Sequence, residues 1–443
     1  MKLVEANELW LSKVPSDWKR SRIRNEAVLS PGFSSDWPTP TENCAIVPME
    51  SLSIDGTIDC SDQQPFEEIP PGLTLFEPDD VLFAKITPCM ENGKGALVQE
   101  LPTRYAFGST EFHVLRPRHS VDPKFLYYYT FNPIFRAYAA ENMSGAAGQK
   151  RVSSRFLKDT RLFLPPLPEQ QRIAAYLDES CAAIDAAVTA KRHQIDTLDS
   201  LRKTTIHNAV TKGLNAAATC RTSDVGWFGD IPRHWRCEHL KRFTTRIQTG
   251  MTPPTDTPDY YLDGTIPWFA PGSYDGDIEL HEARKLINEF ARTEGELRMF
   301  PAESVFLVGI GATIGKAGFV PMEASCNQQI IGIVCGHRMH SRYLAYQFKI
   351  YEEVIPGIAS STTLPIFDQV KTGYLPTLQP PLKEQEAICD YLDEKLAEVK
   401  RIVAGIESQI AALTTYRKSL IHECVTGQRR ITEADLNQVK SYG

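Results

Sequence analysis

Side chains that can bind nucleic-acid bases and phosphates are grouped near predicted turns in both halves of the chain. Arg and Lys match guanine edges and phosphates, whereas Asn and Gln match adenine edges. Each of these residues, taken singly, is more simply explained as an ordinary surface group. Taken together as loops, they predict contact with nucleic acid. The candidate DNA-binding residues are Lys85, Lys94, Thr110, Glu111, Gln149, Lys150, Arg151, Thr313, Lys316, Asn327, Gln328, Gln329, Thr362 and Thr363.

Several short motifs resemble catalytic signatures, but each of them is incomplete. The glycine run at residues 309–315 follows a predicted strand, as in dinucleotide-binding proteins, yet its third glycine comes one residue late. Residues 132–135 resemble the Asn-Pro-Pro-Tyr loop of adenine methyltransferases but lack the second proline. The sequence therefore predicts no catalytic residue and no metal site. The histidines that lack partners at metal-ligand spacing are His113, His193, His207 and His422.

Charge is distributed unevenly along the chain, whose net charge is -7. Residues 31–80 contain eleven Asp or Glu and no Lys or Arg, whereas residues 81–158 contain eleven Lys or Arg and five Asp or Glu. Because screening acts within about 10 Å, a local basic field can hold phosphates on an acidic protein. Chance clustering on a solvated surface is the alternative explanation.

Length and composition indicate a globular protein with more than one domain. A chain of 443 residues exceeds one ordinary core, and 42% hydrophobic with 23% charged residues is typical of globular proteins. No apolar run approaches the roughly 20 residues of a membrane span, and the first ten residues lack the apolar segment of a signal peptide. The ten Cys include no C-x-x-C pair, so we expect reduced thiols and a cytoplasmic location.

One 15-residue stretch, at residues 165–179, occurs again at residues 380–394 with ten identical positions. The match continues without a gap to Val210-Thr211 and Val425-Thr426. Such a repeat indicates two copies of one rigid element, and therefore a chain built from two similar halves. Proline pairs precede both copies, and helix-forming residues follow them, so we predict two long helices.

Apolar residues recur along both predicted helices with the period of a coiled coil. Lys191 interrupts the pattern in the first helix, so it must either extend to solvent or find an acidic partner across the seam. The alternative is that each helix lies on the core of its own domain. The predicted seam consists of Leu177, Ile184, Val188, Ile195, Leu198, Leu392, Leu396, Val399, Val403, Ile406, Ile410 and Leu413.

The segments before the two helices follow one plan and predict two mixed α/β domains. Strands at residues 79–86 and 303–308 each lead to a Gly-Lys turn, a second strand, a third alternating strand and a helix. Both segments open with the spacing W-x4-P-x2-W, which favours a packed entry turn. The predicted division is residues 1–164 and 227–379 for the domains, 165–213 and 380–427 for the helices, 214–226 for a linker and 428–443 for a tail.

The doubled Pro-Pro-Leu-x-Glu-Gln…Ile…Tyr-Leu-Asp-Glu motif resembles that of the specificity subunits of Type I restriction-modification enzymes. The strand-turn segments at residues 80–94 and 304–316 are similar to the target-recognition domains of that family. The first turn departs from the family's Gly-Lys turn by carrying residues 87–90 as an insertion. The resemblance covers nearly the whole chain in the order recognition domain, helix, recognition domain, helix.

The resemblance implies a non-catalytic subunit that binds double-stranded DNA and reads a split, asymmetric site. It also implies two modification subunits, which use S-adenosylmethionine to methylate adenine N6, and restriction subunits, which use ATP and Mg²⁺. This chain itself would hold no cofactor. Two alternatives remain open: a single-chain nuclease or methyltransferase with an unrecognised site, and a scaffold that bridges partners without binding DNA.

Tandem domains face one duplex equivalently only if a pseudo-two-fold axis relates them, and such an axis through the helix pair predicts antiparallel helices. A helix from residue 169 to residue 211 is roughly 65 Å long at about 1.5 Å per residue. A turn of DNA spans about 34–36 Å, so half-sites about one to two turns apart are within reach.

Inserting whole heptads equally into both long helices is therefore expected to lengthen the spacer between the half-sites. Mapping of methylated adenines in a host that expresses the system measures that spacer. An unchanged spacer would contradict the idea that the helix pair acts as a ruler.

Overall fold

The computed structural model describes residues 3–8, 10–146, 148–254, 257–294, 297–359 and 365–440. The chain divides into two compact units. Unit 1 contains residues 1–192 and 407–443, and unit 2 contains residues 193–406. Each unit therefore combines one predicted recognition domain with part of each long helix.

Unit 1 is built from short strands and short helices, together with part of each of the two long helices. Its strands are β1 (Leu3–Glu8), β2 (Leu11–Pro15), β3 (Lys19–Arg22), β4 (Ala27–Leu29), β5 (Asn43–Val47), β6 (Gln63–Pro65), β7 (Thr74–Phe76), β8 (Val81–Ala84), β9 (Gly95–Leu97), β10 (Ala106–Gly108), β11 (Phe112–Pro117) and β12 (Arg161–Leu164). Its helices are α1 (Ile23–Glu26), α2 (Pro123–Phe131), α3 (Pro133–Glu141), α4 (Ser154–Asp159) and the first part of α5 (Leu167–Lys212).

Unit 2 repeats this arrangement. Its strands are β13 (Cys220–Thr222), β14 (Asp230–Pro232), β15 (Arg236–His239), β16 (Thr244–Thr249), β17 (Ile266–Phe269), β18 (Lys285–Ile287), β19 (Met299–Phe300), β20 (Ser304–Val308), β21 (Ala317–Val320), β22 (Ala324–Cys326), β23 (Ile330–Cys335) and β24 (Pro376–Gln379). The later helices of the chain are α6 (Glu289–Glu294), α7 (Ser341–Ile358), α8 (Gln369–Gly373), α9 (Leu382–Val425) and α10 (Glu433–Lys440).

The sheets of the two units correspond one to one. Sheet β4-β11-β8-β9 in unit 1 has the same order as β16-β23-β20-β21 in unit 2. Sheet β6-β5-β10-β7 likewise corresponds to β18-β17-β22-β19, and the central pair is parallel in both. Strands β8 and β20 are completely buried, as expected of short, mainly apolar runs that lie between two neighbouring strands. The prediction of two similar mixed α/β domains is confirmed.

Two details differ from the sequence-based expectation. The helix predicted around residues 123–140 is two helices, α2 and α3, because Asn132 and Pro133 end one and begin the next. The residues predicted as a tail include helix α10, and Ile431 before it is buried. Leu436 and Val439 of α10 pack against the core of unit 1, which explains why this segment is ordered.

The repeated motif holds each domain to the start of a long helix through a buried glutamine. In unit 1 the side-chain oxygen of Gln170 accepts from the Asp122 N–H at 2.9 Å. Its amide nitrogen donates to the carbonyl oxygens of Ser120 and Pro165 at 3.0 and 2.9 Å. Three backbone groups at the start of α2 and α5 are thereby satisfied by one side chain.

Gln385 makes the same three bonds in unit 2. It accepts from the His340 N–H at 2.7 Å and donates to Arg338 and Pro380 at 3.0 and 2.8 Å. Both glutamines are at most 1% exposed. The glutamine of the repeated motif is therefore a structural joint, which explains its occurrence at the same place in both halves.

The aspartate of the motif forms a second joint about two turns further along the long helix. Asp178 accepts from Lys124 at 2.5 Å and from the Tyr128 hydroxyl at 2.8 Å, and both partners lie on α2. In unit 2, Asp393 accepts from Arg342 at 2.9 Å and from the Tyr346 hydroxyl, which lie on α7. The same helix-to-helix contact is thus made with Lys in one unit and Arg in the other.

Within unit 1, α5 and α9 run antiparallel. Asp185 lies 3.1 Å from the Arg417 guanidinium, and further along α5 the Lys191 ammonium donates to the side-chain oxygen of Gln409. As residue numbers rise on α5, the partner numbers fall on α9. Lys191, the predicted interruption of the seam, is half-buried and finds an amide rather than an acid.

Within unit 2, α5 and α9 also run antiparallel. Gly213, just past the end of α5, adopts a φ of +71° beside the start of α9, and an added Cβ there would lie 2.9 Å from the Glu384 carboxylate. The predicted seam positions Leu177, Ile184, Leu392 and Ile406 are buried. The remaining eight, which are half-buried, are Val188, Ile195, Leu198, Leu396, Val399, Val403, Ile410 and Leu413.

None of the helices in the described part of the chain is long and apolar enough to cross a membrane.

Replacing Gln170 with Ala is expected to destabilise the fold by about 2–4 kcal/mol, because it removes a buried side chain and leaves three backbone groups without their partner, one of them buried. The matched control is Gln171→Ala, since Gln171 is exposed on the same helical turn and should change stability by at most about 0.5 kcal/mol. Urea denaturation, with hydrogen exchange of the Asp122 amide, measures the difference. Equal effects of the two substitutions would contradict the role assigned to Gln170.

Candidate nucleic-acid interface

The end of β8 and the segment before α4 bring several predicted residues together in unit 1. The Lys85 N–H donates to the Glu111 carbonyl at 2.9 Å, and the Val152 N–H donates to the Lys85 carbonyl at 2.9 Å. The Thr87 hydroxyl and N–H bond to residues of the turn at 148–150. We call the resulting group the first cluster; it consists of Lys85, Thr110, Glu111, Gln149, Lys150 and Arg151.

An ion pair fixes the side chains at the centre of the first cluster. Both Glu111 oxygens accept from Arg151 Nε, at 3.1 and 3.0 Å, and one of them accepts from Nη2 at 2.8 Å. These bonds lower the pKa of the Glu111 carboxyl, and they raise the pKa of Arg151. Both groups therefore stay charged at neutral pH. Lys85 lies close enough to lower the Glu111 pKa further.

Lys94 and Thr110 border a neighbouring groove. The Lys94 ammonium donates to the Met49 carbonyl at 2.8 Å. Met49 and Thr110 line an open cavity of about 320 Å³, together with the Phe107 ring. Lys94 is thus held by the backbone of its own domain, whereas Gln149 and Lys150 are exposed.

In unit 2 the predicted amides form a second cluster, which consists of Thr252, Asn327, Gln328, Gln329 and Ile366. The Asn327 amide donates to the Gln329 side-chain oxygen at 2.9 Å, and the Thr252 hydroxyl bonds to Gln328. The Gly309 N–H donates to the Gln329 carbonyl at 2.8 Å. This cluster carries no formal charge.

The remaining candidates of unit 2 lie elsewhere. Thr313 and Lys316 line a cleft of about 560 Å³ with Lys203, His207 and Lys349. Acidic groups of α7 also line this cleft, and Lys349 is paired with one of them. Thr362 and Thr363 lie outside the described residues. The structure therefore groups the amides of unit 2 but separates them from Thr313 and Lys316.

The two clusters occupy the same place in the repeated fold. The bond from the Lys85 N–H to the Glu111 carbonyl has its counterpart between Gly309 and Gln329. The backbone bridge between Ile86 and Arg151 corresponds to the bridge between Ile310 and Ile366. The equivalent pairs are Lys85 and Gly309, Thr110 and Gln328, Glu111 and Gln329, and Arg151 and Ile366.

Ile366 and Thr252 were missed by the sequence-based prediction. Ile366 is an apolar residue in a segment without periodicity, so only the backbone bridge to Ile310 assigns its position. Thr252 precedes a proline pair and gives no signal besides its polarity. The Gly-Lys turns, at residues 93–94 and 315–316, could have anchored an alignment, but the loops before them differ in length.

A duplicated scaffold that presents different polar side chains at equivalent positions defines a two-part recognition protein. A family model for the Type I restriction modification DNA specificity domain matches residues 73–196 and, a second time, residues 243–412. The chain belongs to this family.

Relatives with established names match parts or all of the chain. Over 164 residues, 36% of this chain, it is 32% identical to the Type I restriction enzyme EcoAI specificity subunit and 30% identical to the EcoEI subunit, both from Escherichia coli. The matched region spans only 27% of the length of each of these two relatives. A protein of Methanocaldococcus jannaschii assigned as the MjaX specificity subunit is 22% identical over 439 residues, covering 95% of this chain and 96% of that one.

Solved structures share the fold. A chain from a study of complex assembly and conformational transition of the type I R-M system aligns with a TM-score of 0.74 at 18% identity, covering 94% of this chain and 99% of that chain. The HsdS subunit of Thermoanaerobacter tengcongensis aligns with a TM-score of 0.55 at 18% identity, covering 94% of this chain and 98% of its own.

A buried histidine next to the first cluster makes the stability of this region depend on pH. His113 is 3% exposed, and its Nε2–H donates a hydrogen bond to the Val152 carbonyl at 2.8 Å. Burial lowers the His113 pKa below its usual value near 6.5. The neutral form therefore stabilises the fold above pH about 6.5, and this stabilisation is lost as the pH falls below that value.

We expect residues 148–152 to exchange amide protons faster at pH 5.5 than at pH 7.5, after correction for intrinsic rates. His113→Gln should abolish this dependence because the amide does not titrate. His422→Gln is the control, since burial lowers the His422 pKa as well but its side chain bonds Asn132 instead. Equal protection of wild-type residues 148–152 at both pH values would contradict the role of His113.

Proposed function

We propose that this chain is the DNA-reading specificity subunit of a Type I restriction-modification complex. One observation carries the proposal: two domains with the same sheet order place different side chains at equivalent positions, charged in unit 1 and neutral in unit 2. Two readers with different chemistry suit the two unlike halves of an asymmetric DNA site. The family membership supports the same function.

In this proposal each unit reads one half-site. Charged and amide side chains of the clusters approach base edges, while exposed Lys and Arg residues near them contact phosphates. Lys150 is exposed at the tip of the first cluster and suits a phosphate contact. Phosphate contacts of this kind make binding fall steeply with salt concentration.

The chain would work without chemistry of its own. Two modification subunits would bring S-adenosylmethionine and methylate adenine N6, and restriction subunits would bring ATP and Mg²⁺, in the cytoplasm. The exposed apolar side chains on the long helices, Leu201, Ile402 and Tyr416, offer surface for such subunits. Assays of the purified chain for S-adenosylmethionine binding and DNA cleavage separate this proposal from a single-chain enzyme, which would give a positive result.

Exchanging residues 15–164 for the corresponding domain of another family member is expected to change one half-site only. Exchanging residues 227–379 is the matched control and should change the other half-site. Sequencing of methylated adenines identifies both halves. A change in both halves after either exchange would contradict independent reading by the two units.

A further inference from the structure

Arg151 is held in a geometry that leaves one edge of its guanidinium available. A guanidinium carries five N–H donors in a fixed plane. Glu111 accepts from Nε and from Nη2, so it occupies the Nε–Nη2 side of the guanidinium. The third contact is long, with Nη1 3.4 Å from the Gln149 carbonyl. The donors at the Nη1–Nη2 end thus remain largely unused.

The backbone of Arg151 is fixed as well. Its N–H donates to the Ser144 carbonyl at 2.8 Å, and its carbonyl accepts from the Ser144 N–H at 3.0 Å. The next residue, Val152, is bonded to Lys85 at the end of the central strand β8. The Arg151 side chain nonetheless remains 41% exposed, whereas that of Glu111 is 23% exposed. A rigid base with an exposed tip is the arrangement that a reading residue needs.

Guanine matches the unused end of Arg151. In the major groove, guanine presents O6 and N7 as two adjacent acceptors, and Arg binds both at once through its fork. A phosphate also accepts from Arg, but an acidic neighbour in bidentate contact disfavours an anionic ligand at the same group. The Glu111 carboxylate therefore favours the neutral, two-acceptor edge of a base over a phosphate at Arg151.

Unit 2 has a different chemistry at the same place. Ile366 takes the position of Arg151 and is 39% exposed, and Gln329 takes the position of Glu111. The Gln329 oxygen is occupied by the Asn327 amide. An apolar side chain cannot donate to guanine, so Ile366 does not select that base at the equivalent position of the second half-site.

We propose that Arg151, oriented by Glu111, reads a guanine in the half-site bound by unit 1, and that unit 2 makes no such reading at the equivalent position. Arg151 is then a specificity-determining residue and Glu111 a positioning residue. This inference rests on the proposed DNA-reading function and adds the base and the residue that selects it.

Selection of binding sites from a pool of random DNA duplexes tests the inference with the full chain and any subunit that co-purifies with it. The wild type should select a guanine that both Arg151→Ala and Arg151→Lys lose, because Lys keeps the charge but not the fork. Affinity for the selected site should fall about 5- to 140-fold, with preferences at other positions unchanged. Glu111→Gln should keep the choice of guanine but weaken it.

Lys150→Ala is the matched control on the adjacent residue. As a phosphate contact it should weaken all sequences about equally and reduce the salt slope by about one. The inference is overturned if Arg151→Ala behaves in the same way, or if Arg151→Lys retains every base preference. If the wild type selects no sequence at all, the proposed function itself fails, and this inference fails with it.

A second experiment, in which the ion pair is introduced into unit 2, keeps the inference testable if substitutions at Arg151 disturb folding. The double substitution Ile366→Arg with Gln329→Glu installs the same pair in unit 2. A new guanine preference in the other half-site, with the first half-site unchanged, supports the inference. A folded double variant that selects the wild-type sequence in both halves overturns it.

Discussion

The buried glutamine of the repeated motif is the contact on which the rest of the structure depends. Gln170 and Gln385 each satisfy three backbone groups where a domain helix and a long helix begin. Both amides are buried, as are the bonds that they donate to Pro165 and Pro380, and an unpaired polar group in the interior costs about 1–3 kcal/mol. An apolar residue of similar size would leave all three unpaired, so this amide, together with the aspartate contact that follows it, holds each long helix to its domain.

The sequence was sufficient to predict the repeat, the long helices and the order of strands around each Gly-Lys turn. Those features depend on periodicity and on contacts near in sequence, which residue types report directly. The predicted strand at residues 303–308 is observed as Ser304–Val308, and the helices differ from expectation by a few residues at their ends. The break at Asn132 was missed because Pro at the first position of a helix and Pro inside a helix give similar patterns.

The candidate site was harder to predict because its residues are far apart in the sequence and become neighbours only in the folded chain. Lys85, Glu111 and Arg151 come from three separate segments, which hydrogen bonds at the ends of β8 and β11 bring together. Residue type correctly indicated polar loops. The prediction nevertheless placed Lys316 in one group with the amides of unit 2, whereas its side chain lines a different cleft. The equivalence of Arg151 and Ile366 has no signal in residue type, since one is charged and the other apolar.

Buried and exposed positions of the repeat thus follow different physical constraints. Buried joints such as Gln170 and Gln385 recur in kind because geometry and desolvation permit few substitutes. Exposed positions such as Arg151 and Ile366 touch solvent, so folding does not restrict the residue type there. The ligand can then determine which residue type is suitable. Each long helix also begins in one unit and ends in the core of the other, where Ile206 and Ile421 are buried. Each core therefore contains residues of both long helices, whereas the residues of the two clusters belong to neither core.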